Sequence, residues 1–206
     1  MSYGSQNIAV YSGSFNPLHI GHLAIIRHMI EVAGFDMVYL IVSPKNPLKD
    51  GISSDSGRER YKAAVEAVER RFLRSGLSAS GRNDSKAVEA RVKVDDIELN
   101  MPEPHYTIRT LDALKEREPD NRFTLVMGAD NLADIRRWRD YARILKEFGV
   151  AVFPREGHDL TEIKQDLLKE DPAYMIQILD AEMVDISSTQ IRNAIAEGED
   201  ISKYLM

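Results

Sequence analysis

Two histidines, His19 and His22, are the residues whose type and spacing point most clearly to chemistry. They stand at the predicted start of a helix, shortly after the apolar run 8–11, which is typical of a buried strand. Their spacing places both rings on one side of the first helical turn. Gly13 and Gly21 allow close backbone approach, and the free N–H groups of a helix start attract anions. Such imidazoles can donate hydrogen bonds to phosphate oxygens and, when protonated, offset charge that develops in a transition state.

A second polar group, Ser187, Ser188 and Thr189, precedes a helical pattern whose first turn contains Arg192. A hydroxyl N-cap leaves several backbone N–H donors free, and the planar guanidinium suits phosphate. An ordinary capped helix has the same hydroxyls, so this pattern taken alone also fits a purely structural role. Combined with the histidine segment, it favours an anion site.

Further candidates follow the other predicted strands. Lys49 could contact a phosphate or be a solvated surface charge, and Arg155 follows a later strand. Asp130, just after Gly128, could bind ribose hydroxyls or Mg²⁺, cap the next helix, or do both. Trp138, the single tryptophan, has arginines on both sides, which favours a partly exposed stacking surface as much as a core position.

Strand and helix patterns alternate along most of the chain, which predicts an α/β fold: a doubly wound, Rossmann-like open parallel sheet with helices on both faces. Strands are predicted at 8–11, 37–42, 92–99, 122–127 and 150–153, with one or two more in 175–184. Helices are predicted at 20–33, 58–73, 108–117, 131–148 (interrupted near Trp138), 159–169, 188–197 and 202–206. Ligands of such sheets bind beyond the carboxyl ends of the strands, where strand order reverses, and the candidates above other than Trp138 follow strands.

Composition limits the function classes. The chain has 206 residues, 43% of them hydrophobic and 29% charged, which fits a single domain over 1–206 with residues 186–206 as a small C-terminal helical subdomain. A net charge of -6 argues against a general nucleic-acid or anionic-membrane binder, but a local cationic cluster could still hold a small anion. The absence of Cys excludes disulfides, thiolate zinc sites and a cysteine nucleophile. With no signal-peptide pattern and no apolar run near ~20 residues, a cytoplasmic protein is expected.

The segments H-I-G-H at 19–22 and I-S-S-T-Q-I-R at 186–192 resemble the HxGH nucleotidyltransferases. Within that superfamily the chain is similar to the nicotinate-nucleotide adenylyltransferases. Supporting matches are 13–22, 47–49, Arg58, 104–111, 128–130 and Trp138. The four letters of the first segment also match class I aminoacyl-tRNA synthetases, but those enzymes are far longer and have a lysine-rich second motif.

The resemblance implies adenylyl transfer from ATP to nicotinate mononucleotide, which gives nicotinate adenine dinucleotide and pyrophosphate in NAD biosynthesis, with Mg²⁺ accompanying ATP. Because the attacking phosphate is already ionised near neutral pH, no side chain must act as a base. The expected partners are ATP and a pyridine mononucleotide, not nucleic acid or a membrane, and a homo-oligomer is left open.

The resemblance also implies residue roles. The catalytic group would be His19, His22 and Arg192. ATP would be bound by Ser14, Phe15, His19, His22, Gly128, Asp130, Ser188, Thr189 and Arg192. The mononucleotide would be bound by Ser14, Phe15, Asn16, Lys49, Thr107, Trp138 and Arg155, and no metal site is expected on the protein itself.

Some positions depart from the family pattern: Arg109 in place of Asp, Arg139 in place of an aromatic residue, Glu156 in place of Pro, and an apparent insertion at 74–91. Most border the predicted pyridine pocket, so nicotinamide mononucleotide stays open as the main substrate. A phosphopantetheine adenylyltransferase is a second alternative, although that enzyme usually has Thr in place of His19. A non-catalytic nucleotide sensor would be expected to lack a histidine or the arginine. A dehydrogenase or P-loop enzyme is disfavoured because both glycine-rich motifs are absent.

Overall fold

Six parallel strands form one sheet in the computed structural model, which describes residues 4–44, 57–75, 91–181 and 188–205. The spatial order is β3-β2-β1-β4-β5-β6. The strands are β1 (Asn7–Gly13), β2 (Met37–Val42), β3 (Val92–Asp95), β4 (Arg122–Gly128), β5 (Val150–Phe153) and β6 (Ile176–Ile178). This sheet confirms the predicted doubly wound fold.

Strand order reverses at β1, which has β2 on one side and β4 on the other. Val10 of β1 pairs with Tyr39 of β2 and with Leu125 of β4, all in parallel register. The central strands are apolar along nearly their whole length because both faces of a parallel sheet are covered by helices. A crevice therefore opens beyond the carboxyl ends of β1 and β4, and the segment after β1 begins there.

Helices cover both faces of the sheet. They are α1 (Ile20–Glu31), α2 (Gly57–Ser75), α3 (Thr107–Arg117), α4 (Ala129–Ala133), α5 (Tyr141–Arg143), α6 (Leu160–Glu170) and α7 (Ser188–Ala196). Alternate residues of β1 enter different cores: Ile8 and Val10 pack with α3, α4 and α6, whereas Ala9 packs with α1 and α2. None of the helices within the described ranges is long and apolar enough to cross a membrane.

Two predicted elements have different bounds. The strand predicted at 92–99 ends at Asp95, and Ile97–Asn100 forms a 3-10 turn instead. The Asp95 carboxylate accepts a hydrogen bond from the Ile97 N–H at 3.0 Å, which diverts the backbone from the sheet. The helix predicted at 131–148 is broken into α4, a 3-10 turn, α5 and a π-helical turn at Ile144–Phe148, with Asp140 at a φ of 52° between the pieces.

The helix predicted at 202–206 is wrong. Only Ser202–Tyr204 forms a 3-10 turn, and Leu205 instead makes an antiparallel bridge with His19. The Asp200 carboxylate starts this turn by accepting from the Ser202 N–H at 2.9 Å. The stretch 175–184 contains β6, while 182–187 lies outside the described residues. The proposed subdomain boundary at 186 therefore stays a prediction.

Candidate active site

His19 and His22 cap the helix that they begin. His19 is the N-cap of α1, with an extended φ of -142°, and its Nδ1 accepts a hydrogen bond from the Gly21 N–H at 3.2 Å. The His19 N–H in turn donates to Nδ1 of His22 at 3.2 Å. This reciprocal capping box fixes both rings, whose centroids lie 3.8 Å apart. Helix capping and a role in binding a ligand are thus compatible in the same side chains.

Burial decides the charge of the rings, and the capping bonds decide their tautomer. Burial, aided by the positive charge of Arg155, lowers the pKa of His19 to about 4. Burial, then His19 and Arg155, hold the pKa of His22 well below its ordinary value. Both imidazoles are therefore neutral near pH 7, which disfavours the imidazolium role considered from sequence. Because each Nδ1 accepts from a backbone N–H, each neutral ring has its proton on Nε2 and offers it as a donor.

The loop between β1 and α1 is held in place by aromatic packing. Phe15 adopts a positive φ of 44°, is 3% exposed, and packs edge-on against Tyr11 and His22 at centroid distances of 5.5 and 5.3 Å. A Cβ on Gly13 would lie 3.1 Å from the Phe15 ring, a close contact that the ring could relieve only by shifting by a few tenths of an ångström. Since its ring is buried, Phe15 can meet a ligand through its backbone, as can the adjacent Ser14.

The last helix docks on this same loop. Arg192 donates from Nη1 to the carbonyl of Asn16 at 2.9 Å and from Nη2 to the Thr189 hydroxyl at 2.9 Å. Ser188 donates its hydroxyl to the carbonyl of Pro17 at 3.3 Å. Two motifs at opposite ends of the chain thereby meet immediately before His19. We call His19, His22, Ser188, Thr189 and Arg192 the phosphate side.

The ends of β4 and β5 supply a second charged group. Gly128 is the N-cap of α4, and Asp130, which was considered as the cap, instead lies in the first turn. A Cβ on Gly128 would collide with the Asp130 carboxylate and lie 3.3 Å from Arg155 Nε. Arg155 and Asp130 are about half exposed and lie 4.0 Å apart, so they form a loose pair. Arg155 also influences both histidine pKa values, which puts it nearer the ATP residues than its predicted mononucleotide role implies.

Two of the residues predicted for the pyridine ring lie on the other face of the sheet. Thr107 is the first residue of α3 and is half-buried. Trp138 is half-buried against the core of that face, and its buried indole Nε1 has no hydrogen-bond partner in the described part of the chain. We call Thr107 and Trp138 the pyridine side. Lys49 and Ser187 lie outside the described residues.

Sequence reasoning missed three buried charges, Arg60, Asp95 and Glu98, each 3% exposed. Arg58, the arginine included in the family resemblance, is instead exposed and donates to the Asn100 side chain at 3.2 Å. Arg60 lies one helical turn before the buried Ala64, on the buried face of α2. A positively charged residue within the apolar stripe of a predicted helix was the sequence signal that could have identified Arg60.

The site can therefore offer two neutral imidazole donors, a guanidinium and backbone N–H groups to one ligand. Such a set stabilises negative charge without needing to remove a proton from the ligand. Within the described ranges, no three His, Cys, Asp or Glu residues are grouped so that they could hold a metal ion. The donors of this arrangement suit phosphate binding.

Comparison with known proteins agrees with this arrangement. The family model described as "Cytidylyltransferase-like" matches residues 10–194. The chain is 36% identical to "Probable nicotinate-nucleotide adenylyltransferase" of Flavobacterium johnsoniae, over 97% of this chain and 92% of that protein. It is 35% identical to the protein of the same name from Bacteroides fragilis, over 95% of this chain and 85% of that protein.

Solved structures show the same fold. The nicotinic acid mononucleotide adenylyltransferase of Plasmodium falciparum, complexed with NaAD, superposes with a TM-score of 0.72 at 20% identity, covering 97% of this chain and 90% of that one. Sequence, site geometry and fold therefore converge, and the chain belongs to the cytidylyltransferase-like nucleotidyltransferases and, within them, to the nicotinate-nucleotide adenylyltransferase family.

Proposed function

We propose that this protein transfers the adenylyl group of ATP to nicotinate mononucleotide, forming nicotinate adenine dinucleotide and releasing pyrophosphate. The observation that supports this most strongly is the contact of Arg192 with the Asn16 carbonyl, which joins the two phosphate-binding motifs at one place. Relatives named for this activity at 36 and 35% identity support the choice of substrate.

The reaction requires positioning more than proton transfer. The mononucleotide phosphate is a dianion or close to it near neutral pH, so it can attack the α-phosphorus of ATP without a protein base. The P–O bond to the β-phosphate breaks as the new bond forms, and pyrophosphate leaves with the electron pair. In our proposal the Nε2–H groups of His19 and His22 donate to oxygens around the α-phosphate, where charge is redistributed.

Arg192 and the start of α7 are proposed to hold the β- and γ-phosphates. A guanidinium can bind two phosphate oxygens at once, and the side chain is already oriented by Asn16 and Thr189. The exposed N–H groups of the first turn, near Ser188, add to this positive end. Stabilising the departing pyrophosphate in this way raises the rate because the charge develops in the transition state.

Gly128 and Asp130 are proposed to face the adenosine side, and Thr107 and Trp138 to enclose the pyridine ring. Ser14, Phe15 and Asn16 lie between the two and can approach either substrate through their backbone. Lys49 is proposed to approach the mononucleotide phosphate. Arg155, whose charge acts on both histidines, is positioned to neutralise either phosphate group.

The residues present fit Mg²⁺ that arrives with ATP. Mg²⁺ keeps several waters and usually needs one or two carboxylates besides the substrate phosphates. Asp130, about half exposed at the end of β4, is the proposed protein contact. When bound, the ion would neutralise charge on the triphosphate. A homo-oligomer and a cytoplasmic location stay predictions.

A pyrophosphate-release assay tests the proposal directly. The protein is supplied with ATP and, in parallel, with nicotinate mononucleotide, nicotinamide mononucleotide or phosphopantetheine. We expect the highest kcat/KM with nicotinate mononucleotide. Release that is faster with phosphopantetheine would contradict the assignment, and binding of ATP without release with any acceptor would favour a nucleotide sensor.

A further inference from the structure

Arg60 ties together the loops that follow two central strands. Its guanidinium donates from Nη1 to the carbonyl of Ser14 at 2.8 Å and to that of Ser43 at 2.9 Å. From Nη2 it donates to the carbonyl of Pro44 at 2.8 Å. The chain after β1 and the chain after β2 are thus held by one buried cation from α2. Neither loop has regular secondary structure at these residues, so the bonds from Arg60 help to fix the course of both backbones.

Glu98 makes a matching connection from the 3-10 turn after β3. One carboxylate oxygen accepts from the Ser43 hydroxyl at 2.6 Å, and the other accepts from the Thr110 hydroxyl at 2.8 Å. Glu98 is 3% exposed and Thr110 is 1% exposed. Both oxygens of a buried carboxylate therefore receive donors from other elements, which offsets part of its desolvation cost.

Ser43 belongs to both sets of bonds. Its carbonyl accepts from Arg60 and its hydroxyl donates to Glu98, so the bonds form one continuous chain from Ser14 to Thr110. We call Arg60, Ser43, Glu98 and Thr110 the buried bridge. Its end at Thr110 lies in the first part of α3, whose first residue is Thr107. The bridge thus connects the loop after β1 with the beginning of the pyridine side.

We propose that the buried bridge is a positioning network for the mononucleotide half of the site, with Glu98 setting the position of the start of α3 and thereby of Thr107. This inference rests on the proposed function. Its four members act through the loops and the helix that they hold, not by touching substrate. The phosphate side is instead held by capping in α1 and by contacts of α7 with Asn16 and Pro17. The Glu98 end of the bridge, which contacts Thr110 of α3, is therefore expected to affect the mononucleotide more than ATP.

The discriminating variant is Thr110→Val, which removes one hydroxyl while keeping the shape of the side chain. It leaves one Glu98 oxygen without its donor and releases the start of α3. We expect the KM for nicotinate mononucleotide to rise about tenfold, while the KM for ATP changes by less than about twofold. Thr110→Ser, which keeps the hydroxyl, should recover most of the mononucleotide KM. If Thr110 only stabilised the fold, its replacement would change the KM values for the two substrates to a similar extent.

Ser43→Ala provides a second test that does not depend on α3 tolerating the first change. It removes the other donor to Glu98, and we expect the same selective rise in the mononucleotide KM. Because both variants break the same network, the double variant should raise that KM by less than the product of the single effects. Thermal unfolding of each variant establishes that the assayed protein is folded.

The outcomes separate this inference from the proposed function. If the wild-type protein does not convert nicotinate mononucleotide and ATP, the proposed function fails. If the wild type is active but Thr110→Val and Ser43→Ala change both KM values equally, or neither, the buried bridge has no positioning role. A selective effect that Thr110→Ser does not reverse would also contradict it, because the hydroxyl would then be irrelevant.

Discussion

The phosphate side and the pyridine side are built by different kinds of interaction. On the phosphate side, His19 and His22 are fixed by bonds within one helical turn, and Arg192 is fixed by a backbone carbonyl. The pyridine side begins with Thr107, whose helix is held by a hydrogen bond from the Thr110 hydroxyl to Glu98 in the preceding 3-10 turn. The proposed phosphate side is thus held by capping and by the docking of the last helix on the loop after β1, whereas the start of α3 is held by buried side-chain bonds to Glu98.

This difference has a consequence for function. A phosphate looks the same in every nucleotide, so one rigid phosphate site can serve different enzymes of this fold. The acceptor differs between enzymes of this fold, and a region held by side chains from several elements can change without disturbing the histidines. Substitutions on the phosphate side should therefore affect the rate, and those near the pyridine side should affect the choice or affinity of the acceptor.

The largest effect is expected for His22→Ala. Loss of the Nε2–H donor should lower kcat by about 100-fold or more, as for removal of a transition-state donor. Pyrophosphate release measures the rate, and thermal unfolding checks that the fold is intact. His28→Ala, in the last turn of the same helix, is the matched control and should stay within about twofold of wild type. Near-normal turnover of His22→Ala would remove the histidines from the mechanism.

Arg192→Lys should have the next largest effect. Lysine keeps the charge but cannot contact the Asn16 carbonyl and the Thr189 hydroxyl with the same planar fork. We expect kcat/KM for ATP to fall about 10- to 30-fold, with a smaller change in the mononucleotide KM. Arg137→Lys, an exposed arginine beside Asp134, is the control. If Arg192→Lys instead raised mainly the KM for the mononucleotide, Arg192 would belong with the pyridine side and not with the phosphate side.

The pH dependence of stability tests the burial of His19. Its pKa is about 4 in the folded chain and about 6.5 when unfolded, so the unfolded chain binds more protons between these values. This histidine should therefore lower the free energy of unfolding by about 2 kcal/mol from pH 7 to pH 5. His19→Asn keeps an N-cap acceptor but does not titrate, so it should lose less stability over that range.

Urea unfolding of both proteins at pH 7 and pH 5 measures this difference. Equal losses in the wild type and in His19→Asn would show that His19 does not titrate with a lowered pKa, and the neutral-donor argument would then be wrong.

The smallest of these effects is expected for Trp138. Trp138→Ala removes the stacking surface and should raise the mononucleotide KM about tenfold, with little change for ATP. Trp138→Phe keeps an aromatic face and should raise it by less than about threefold. Steady-state kinetics with each substrate varied separately distinguishes the two. Equal KM values in all three proteins would exclude Trp138 from the pyridine side.

The fold was largely predictable because its strands are short apolar runs that end at turn residues. The interruption near Trp138 was also predicted, but the other breaks were not. The end of β3 depends on the Asp95 side chain bonding to the backbone two residues later, and the pieces after α4 are divided by Asp140 at positive φ. Local pattern extends a strand or a helix through such points because nothing in the periodicity marks them.

The same distinction applies to the site. The histidine and Arg192 motifs can be identified because each is short and local, although their meeting through Asn16 required the fold. Glu98 could not be found from its neighbours, since its partners Ser43 and Thr110 come from two other elements. The neutral state of the histidines was likewise hidden, because it depends on burial.

The most direct measurement is a crystal structure of the protein with an unreactive ATP analogue that has a methylene group between the α- and β-phosphorus. The account predicts that the triphosphate lies between the Nε2 atoms of His19 and His22 and the guanidinium of Arg192. A triphosphate bound away from these three side chains, or contacting Arg192 while both imidazoles face elsewhere, would contradict it.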